Sequence, residues 1–152
     1  MINESSNMEA MCFNPDYVDA HFNTGLSYEN LGNYQAAIVE YKKAIRLYPK
    51  NYKAHYRIAS CFDKLGQHRK AIAACKEAIR INPNYAYAHY GMGISYEMLG
   101  KYQEATAQYK EVLRINPDYV ESDYNLGNTD FQRLKNQVLT DNNNKIKVLR
   151  DI

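Results

Sequence analysis

The organisation of this chain is set by residues 52–85, which read YKAHYRIASCFDKLGQHRKAIAACKEAIRINPNY. The same pattern occurs immediately before this stretch and immediately after it, at 18–51 and 86–119, without insertion or deletion. All four prolines keep this interval: Pro15, Pro49, Pro83 and Pro117. A fixed period of roughly 20 to 50 residues is typical of solenoids, in which each unit buries its apolar face only by stacking on its neighbours. The sequence therefore predicts a repeat protein.

Each unit has the apolar spacing of two amphipathic helices. In the middle unit, Ile58 and Phe62 are four residues apart and share one helix face. The first helix is predicted to stop at Gly66, because glycine accepts the left-handed conformation that closes a helix. The second helix is predicted to end at Pro83. A small residue such as Gly93 is expected where the paired helices cross, since it lets their backbones approach closely.

Several positions, counted from the first residue of each unit, hold one kind of side chain throughout. Positions eight and twenty hold small residues, and position twenty-four holds tyrosine or cysteine. In the three complete units, position eight is Gly25, Ala59 and Gly93, position twenty is Ala37, Ala71 and Ala105, and position twenty-four is Tyr41, Cys75 and Tyr109. With proline at position thirty-two, this pattern resembles the tetratricopeptide repeat (TPR) family over roughly residues 10–126. The resemblance implies an all-α, right-handed superhelical solenoid of stacked helix-turn-helix units. The chain departs from the family at position four, where the aromatic residue is replaced by His21, His55 and His89.

The period divides the chain into six predicted segments. They are the second helix of an incomplete upstream repeat (1–17), three complete units (18–51, 52–85, 86–119), a trailing capping helix (120–139) and a polar tail (140–152). The trailing helix is expected to run past Leu134, which stands where the other units have glycine. Residues 141–144 are poor helix formers and are expected to separate it from the tail.

Composition restricts the class of protein. The chain has 152 residues, 45% of them apolar and 24% charged, which is typical of a soluble globular domain. We expect no membrane span, no cofactor and no catalytic site, because no phosphate loop, nucleophile–base pair or metal-ligand spacing is present.

Cys12, Cys61 and Cys75 are predicted to be reduced thiols, and a cytoplasmic location is expected, with a nuclear one also open. The histidines at position four of neighbouring units are one helix layer apart, which is too far for two of them to bind the same metal ion. Each is therefore expected to form a hydrogen bond with a neighbouring group.

The inner face of the first helices is the predicted ligand site. Its position five is aromatic in every unit, which suits protein recognition, although packing between units explains the same residues. The predicted groove residues are Phe22, Asn23, Leu26, Glu29, Lys53, Tyr56, Arg57, Asp63, Tyr87, Tyr90, Ile94, Glu97, Tyr124 and Asn125. The acidic row at position twelve, Glu29, Asp63 and Glu97, is expected to select basic residues of the ligand. Replacing Tyr56 and Tyr90 by alanine is expected to abolish binding without unfolding.

The predicted partner is another protein, bound through a peptide or helix segment. Some family members bind chaperone carboxylates through a clamp of lysine, asparagine and arginine. Two alignments of that clamp fail here, because they place Phe22, Leu26, Arg57, Tyr87 and Gly91, or Tyr56, Ser60, Gly91, Glu121 and Asn125, at its positions. Two alternatives stay open: end-to-end self-assembly through the incomplete terminal repeats, and service as the substrate-recruiting array of a larger enzyme.

The second helices bear a row of cations at positions twenty-five and twenty-nine. These are Lys42, Arg46, Lys76, Arg80, Lys110 and Arg114. Such a row can contact phosphate groups. Glutamates interleave with it and the net charge is only +2, so a solvated helix face is the simpler interpretation and nucleic acid is not the expected partner.

Overall fold

The computed structural model describes residues 14–118 and 129–151 of the chain. These residues form seven helices and no strand. In chain order the helices are α1 (Pro15–Asn30), α2 (Tyr34–Leu47), α3 (Tyr52–Lys64), α4 (His68–Ile81), α5 (Ala86–Met98), α6 (Tyr102–Ile115) and α7 (Thr129–Arg150). The predicted all-α class is confirmed. Most of the predicted upstream half unit, residues 1–13, lies outside the described residues.

The helices stack in the order of the chain. Each of α1 to α6 packs against the next, and the first helices of adjacent units, α3 and α5, also touch. In the described part of the chain, the main contacts of each layer are therefore with its neighbours, as in a solenoid. Within the layers the recurrent alanines and the residues one helix turn after them are fully buried: Ala37, Ala71, Ala105, Tyr41, Cys75 and Tyr109.

Glycine closes the first helix of every complete unit. Gly32, Gly66 and Gly100 have φ angles of 74°, 73° and 72°, in the left-handed region that other residues rarely adopt. The turn is fastened by backbone hydrogen bonds, of which the one from Gln67 N to Phe62 O is 2.8 Å long. The next helix starts directly afterwards. In the first unit Asn33 caps it, because its side chain accepts a hydrogen bond from Ala36 N.

Helix α7 extends past its predicted end, while its predicted start at residue 120 lies outside the described residues. It continues to Arg150, whereas the sequence predicted an end near Leu139 and a separate tail. Aspartate and asparagine each cost a helix only about 0.7 kcal/mol relative to alanine, so residues 141–144 do not break it without a glycine or proline. Near its start, Phe131 is buried against the rings of Tyr90 and Tyr109, with centroid distances of 5.1 and 5.3 Å. Within the two described ranges, no helix combines the length and apolar character needed to cross a bilayer.

Candidate functional site

A concave pocket of about 490 Å³ lies between α1, α3 and the start of α5. Its lining combines four aromatic rings with two cations: Phe22, Lys53, Tyr56, Arg57, Tyr85 and Tyr87. All except Tyr85 belong to the predicted groove. The pocket therefore brings together residues from three successive layers of the repeat.

Helix α3 supplies half of the lining. Lys53, Tyr56 and Arg57 are three and four residues apart, and side chains at that spacing share one helix face. Lys53 is exposed at the rim, while Tyr56 retains 5% of its accessible surface and forms the back wall. Tyr87 repeats the position of Lys53 one unit later, so the rim is cationic on one side and aromatic on the other.

The aromatic wall is a contiguous cluster. The Tyr85 ring lies 4.9 Å from the Tyr52 ring, 5.5 Å from the Tyr56 ring and 5.6 Å from the Tyr87 ring, measured between centroids. Edge-on and tilted arrangements of this kind hold each ring in place. The wall is therefore a preformed surface, which lowers the entropy cost of binding a ligand against it.

The two cations of the pocket differ in their surroundings. Arg57 Nη1 lies 3.5 Å from Glu29 Oε1 of the preceding unit. Burial acts to lower the pKa of Arg57, but Glu29 and the nearby tyrosines outweigh it, so the pKa is raised and the charge is secure. Lys53, by contrast, has no ion-pair partner among residues 14–118 and 129–151. Lys53 is thus the cation that a ligand meets first.

The acidic row of position twelve is engaged within the protein rather than turned toward a ligand. Glu29 accepts a 2.6 Å hydrogen bond from Tyr41 Oη, and Glu97 accepts one of 2.8 Å from Tyr109 Oη. In the middle unit, where Cys75 replaces this tyrosine, the carboxylate of Asp63 has other partners. They are Ser95 Oγ at 2.8 Å and His68 Nδ1 at 2.9 Å. Burial raises the pKa of Asp63, partly offset by these two partners.

Besides Tyr56, two predicted groove residues are buried in the core, and these two do not line the pocket. Tyr90 is fully buried and Ile94 retains 5% of its accessible surface. The sequence placed both on an open face, but Phe131 of α7 covers Tyr90. Replacing Tyr56 and Tyr90 by alanine would therefore remove two buried rings, and each loss would lower the free energy of unfolding by about 3 to 5 kcal/mol. The prediction that this double substitution leaves the fold intact is wrong.

The other predicted residues divide between surface and core edge. Asn23 is exposed on α1, and Leu26 is half-buried against the core formed by the first two units. Tyr124 and Asn125 fall outside the described residues. Tyr85 was missed by the sequence analysis, although a signal existed: the last position of the unit is tyrosine at Tyr17, Tyr85 and Tyr119.

The histidines of position four make hydrogen bonds as expected. Nδ1 of His21 lies 2.7 Å from Glu40 Oε2, and Nδ1 of His89 lies 2.9 Å from Gln108 Oε1. Nε2 of His55 lies 3.3 Å from the carbonyl oxygen of Pro49. Across the described parts of the chain, no three potential metal-ligating side chains come together.

The outer cationic row is a solvated surface. Arg80 pairs with Glu77 at 3.0 Å and Arg114 with Glu111 at 2.9 Å, each pair within one exposed helix turn. Exposed pairs of this kind contribute little to stability. Two of the six cations of the row are therefore partly neutralised by a glutamate of the same helix.

Comparison with known families identifies the repeat. A tetratricopeptide repeat model matches residues 52–85 and 86–119, and a second model of the same repeat matches 18–51. Among the curated proteins, none matches the chain.

Solved structures of similar shape are also TPR domains. The first TPR of Spaghetti (RPAP3), bound to the HSP90 peptide SRMEEVD, is 26% identical with a TM-score of 0.71, over 84% of this chain and 96% of that one. The first TPR domain of human RPAP3 is 27% identical with a TM-score of 0.71, over 86% and 98%. MamA is 29% identical with a TM-score of 0.64, over 68% and 61%.

Proposed function

Since the chain belongs to the tetratricopeptide repeat family, we propose that it is a non-catalytic scaffold that binds a peptide or helix of a partner protein in its concave groove. The observation that carries this proposal is the pocket in which four aromatic rings stand beside Lys53 and Arg57. Similar TPR structures in complex with HSP90 and HSP70 peptides support the same class of function.

The lining defines the chemistry of the ligand. The aromatic wall offers contact area for an apolar or aromatic side chain, and such anchors dominate binding energy at protein interfaces. Lys53 at the rim attracts a carboxylate. The acidic side chains that the sequence assigned to basic ligand residues are occupied by Tyr41, Tyr109 and Ser95. The ligand that suits the groove therefore has an apolar anchor next to an aspartate or glutamate.

We also propose that the groove does not act as a chaperone carboxylate clamp. A third alignment of the clamp, one unit earlier than the alignment that starts at Phe22, does place Asn23, Lys53 and Arg57 at three of its five positions. Of these three residues, Arg57 already faces Glu29 across 3.5 Å, so its charge is partly neutralised within the protein. A free C-terminal carboxylate is therefore expected to add little to the attraction that Lys53 exerts on an acidic side chain of the ligand.

The ligand chemistry is tested by selection from a display library of random peptides against the whole chain. Selected peptides are expected to combine an aromatic or large aliphatic residue with a neighbouring acid. Lys53→Glu and Tyr87→Ala should each weaken their binding about tenfold, or about 1.4 kcal/mol. Lys110→Glu, on the outer face, is the matched control and should bind as the parent does. Equal losses in the control, or peptides without an acid, would contradict the proposal.

The clamp is tested separately with the peptide SRMEEVD and its C-terminal amide. Equal binding of the two forms, or binding of neither, agrees with a groove that lacks the clamp. A clear preference for the free carboxylate would overturn that part of the proposal and leave the peptide-binding groove in place.

For its location we propose a reducing compartment, the cytoplasm or the nucleus. Cys61 and Cys75 are free thiols and fully buried. Thiols persist in compartments that keep cysteine reduced. Microscopy of a fluorescent fusion to the whole chain tests this assignment.

A further inference from the structure

Helix α7 continues through the place where every complete unit turns back. Leu134 is the equivalent of Gly32, Gly66 and Gly100, whose positive φ angles make those turns. The left-handed conformation of those glycines is sterically unfavourable for leucine by about 1 to 2 kcal/mol. The chain accordingly stays helical, and the residues that follow extend beyond Leu134 along the same axis.

The distal half of α7 nevertheless keeps the apolar pattern of a second helix. Leu139, Ile146 and Leu149 lie one repeat period after Ala105, Val112 and Ile115 of α6. Ala105 and Val112 are buried and Ile115 is half-buried between layers. Their counterparts in α7 retain 39%, 49% and 72% of their accessible surface. A stripe that is covered in each complete unit is therefore exposed in the distal half of α7.

The open stripe is the continuation of an interface that already exists. Phe131 packs on Tyr90 and Tyr109, and Leu134 and Val138 border the same core. Leu149 follows Phe131 by about five whole helix turns, so it projects from the same face of α7. The face that fixes α7 to the solenoid thus runs on into solvent for roughly 15 Å beyond Leu139.

We propose that residues 139–150 of α7 dock, antiparallel, against the same residues of a second copy of this chain. Pairing related by a two-fold axis places a stripe against itself, which a self-complementary apolar surface satisfies. Charge specifies the direction. Asp141 lies near the beginning of the segment and Lys145, Lys147 and Arg150 toward its end. Antiparallel copies set residue 141 of each opposite residue 148 of the other, which leaves Asp141 three residues, or about 4.5 Å along the helix axis, from Lys145 of the other copy. Parallel copies would set cation against cation.

The contact is small, so the dimer is expected to be weak. One pair of short helix segments buries less than the roughly 1,200 Å² of a standard interface, and such contacts are typical of transient complexes. Dimerisation of the whole chain is accordingly expected at tens of micromolar, or about −6 kcal/mol. The groove on α3 is not part of this contact, so each copy can still receive a ligand.

Sedimentation equilibrium of the whole chain, from about 1 to 200 µM, tests the proposal. The parent chain should pass from monomer to dimer. Ile146→Glu with Leu149→Glu should weaken the dimer at least tenfold. Val148→Glu is the matched control, because Val148 is exposed but lies about 100° around the helix from Leu149, and it should dimerise as the parent does. All three side chains are exposed, so unchanged helical content and unfolding midpoints should show that the fold is intact.

A charge exchange tests the antiparallel direction. Asp141→Lys should weaken the dimer, and adding Lys145→Asp should restore it, because the exchanged pair can form again across the two-fold axis. Several results would overturn the proposal. They are a monomer at every concentration, a dimer insensitive to Ile146→Glu with Leu149→Glu, and equal loss with Val148→Glu. A monomer whose residues 139–150 resist hydrogen exchange would assign the stripe to another segment of the same chain.

Discussion

A β-carbon added to Gly93 would lie 2.4 Å from Cε1 of Tyr109, so the tyrosine ring occupies the space that a side chain at position 93 would need. The same relationship holds between Gly25 and Tyr41, at 2.6 Å. In the middle unit the larger residue Ala59 stands in place of glycine, and the smaller residue Cys75 stands in place of tyrosine. The residue at position eight is therefore matched in volume to the residue at position twenty-four.

The first prediction concerns this volume match. Gly93→Ala should destabilise the chain by about 1 to 3 kcal/mol, because the new methyl group overpacks the Tyr109 ring. Tyr109→Cys alone should cost about 3 to 5 kcal/mol, because it removes a buried ring. The two substitutions together reproduce the pair of the middle unit and should cost less than the sum of their separate effects, which is a favourable coupling in a double-mutant cycle. Urea denaturation of the four proteins measures this. Additive effects would show that the ring and the glycine are not in competition.

The second prediction concerns the thiols. Cys61 and Cys75 retain none of their accessible surface, and burial raises the pKa of Cys61 to about 12 and that of Cys75 further. Because the thiolate is the reactive form, both should resist a thiol reagent at neutral pH in the native protein and react after unfolding. Mass spectrometry of the modified peptides distinguishes them from Cys12. Rapid native labelling of either residue would contradict their packing.

The repeat period predicts most of the fold, because one recurring pattern fixes helix pairs, glycine turns and buried small residues together. It predicts the site less well. Whether Tyr90 faces a ligand or the core depends on Phe131, which lies more than a full repeat further along the chain, in a helix whose extent and packing the period does not give. The engagement of Glu29 by Tyr41 and Arg57 likewise depends on contacts between layers. A single-sequence pattern gives the face of a helix but not what covers it.

The third prediction is a pH dependence centred on Glu40. Its carboxylate lies 2.8 Å from Lys43 Nζ and 2.7 Å from His21 Nδ1. The pKa of Glu40 is lowered most by the hydrogen bond from Lys43 and next by the hydrogen bond from His21. A lowered pKa in the folded state contributes stability that is present above the ordinary carboxyl pKa of about 4.3 and is lost as the pH falls through the folded value.

Glu40→Gln should therefore reduce the loss of unfolding free energy between about pH 5 and pH 3. Denaturation at a series of pH values measures the slope. Glu111→Gln is the control, because the pair of Glu111 with Arg114 is exposed and i,i+3 pairs of that kind contribute little. Identical slopes for the parent and Glu40→Gln would place the acid sensitivity elsewhere.

The fourth prediction separates stability from binding at Glu29. This carboxylate accepts a hydrogen bond from Tyr41 and faces Arg57 across 3.5 Å, so it holds the core together while it neutralises a cation of the pocket. Glu29→Gln should lower the unfolding free energy by about 1 kcal/mol, because a charge-assisted hydrogen bond becomes a neutral one. It should also raise affinity for an acidic peptide about three- to tenfold, since Arg57 becomes available to the ligand. The gain should shrink as salt screens the new attraction.

Glu97→Gln provides the matched control for that prediction. Glu97 accepts the equivalent hydrogen bond from Tyr109, but it is Glu29, not Glu97, that faces the pocket cation Arg57. It should therefore lose a similar amount of stability without any gain in peptide affinity. Calorimetric titration and urea denaturation of the two variants give both quantities. If the two variants gained affinity equally, the effect would come from the net charge of the chain, and if neither gained, Arg57 would not be a contact of the ligand.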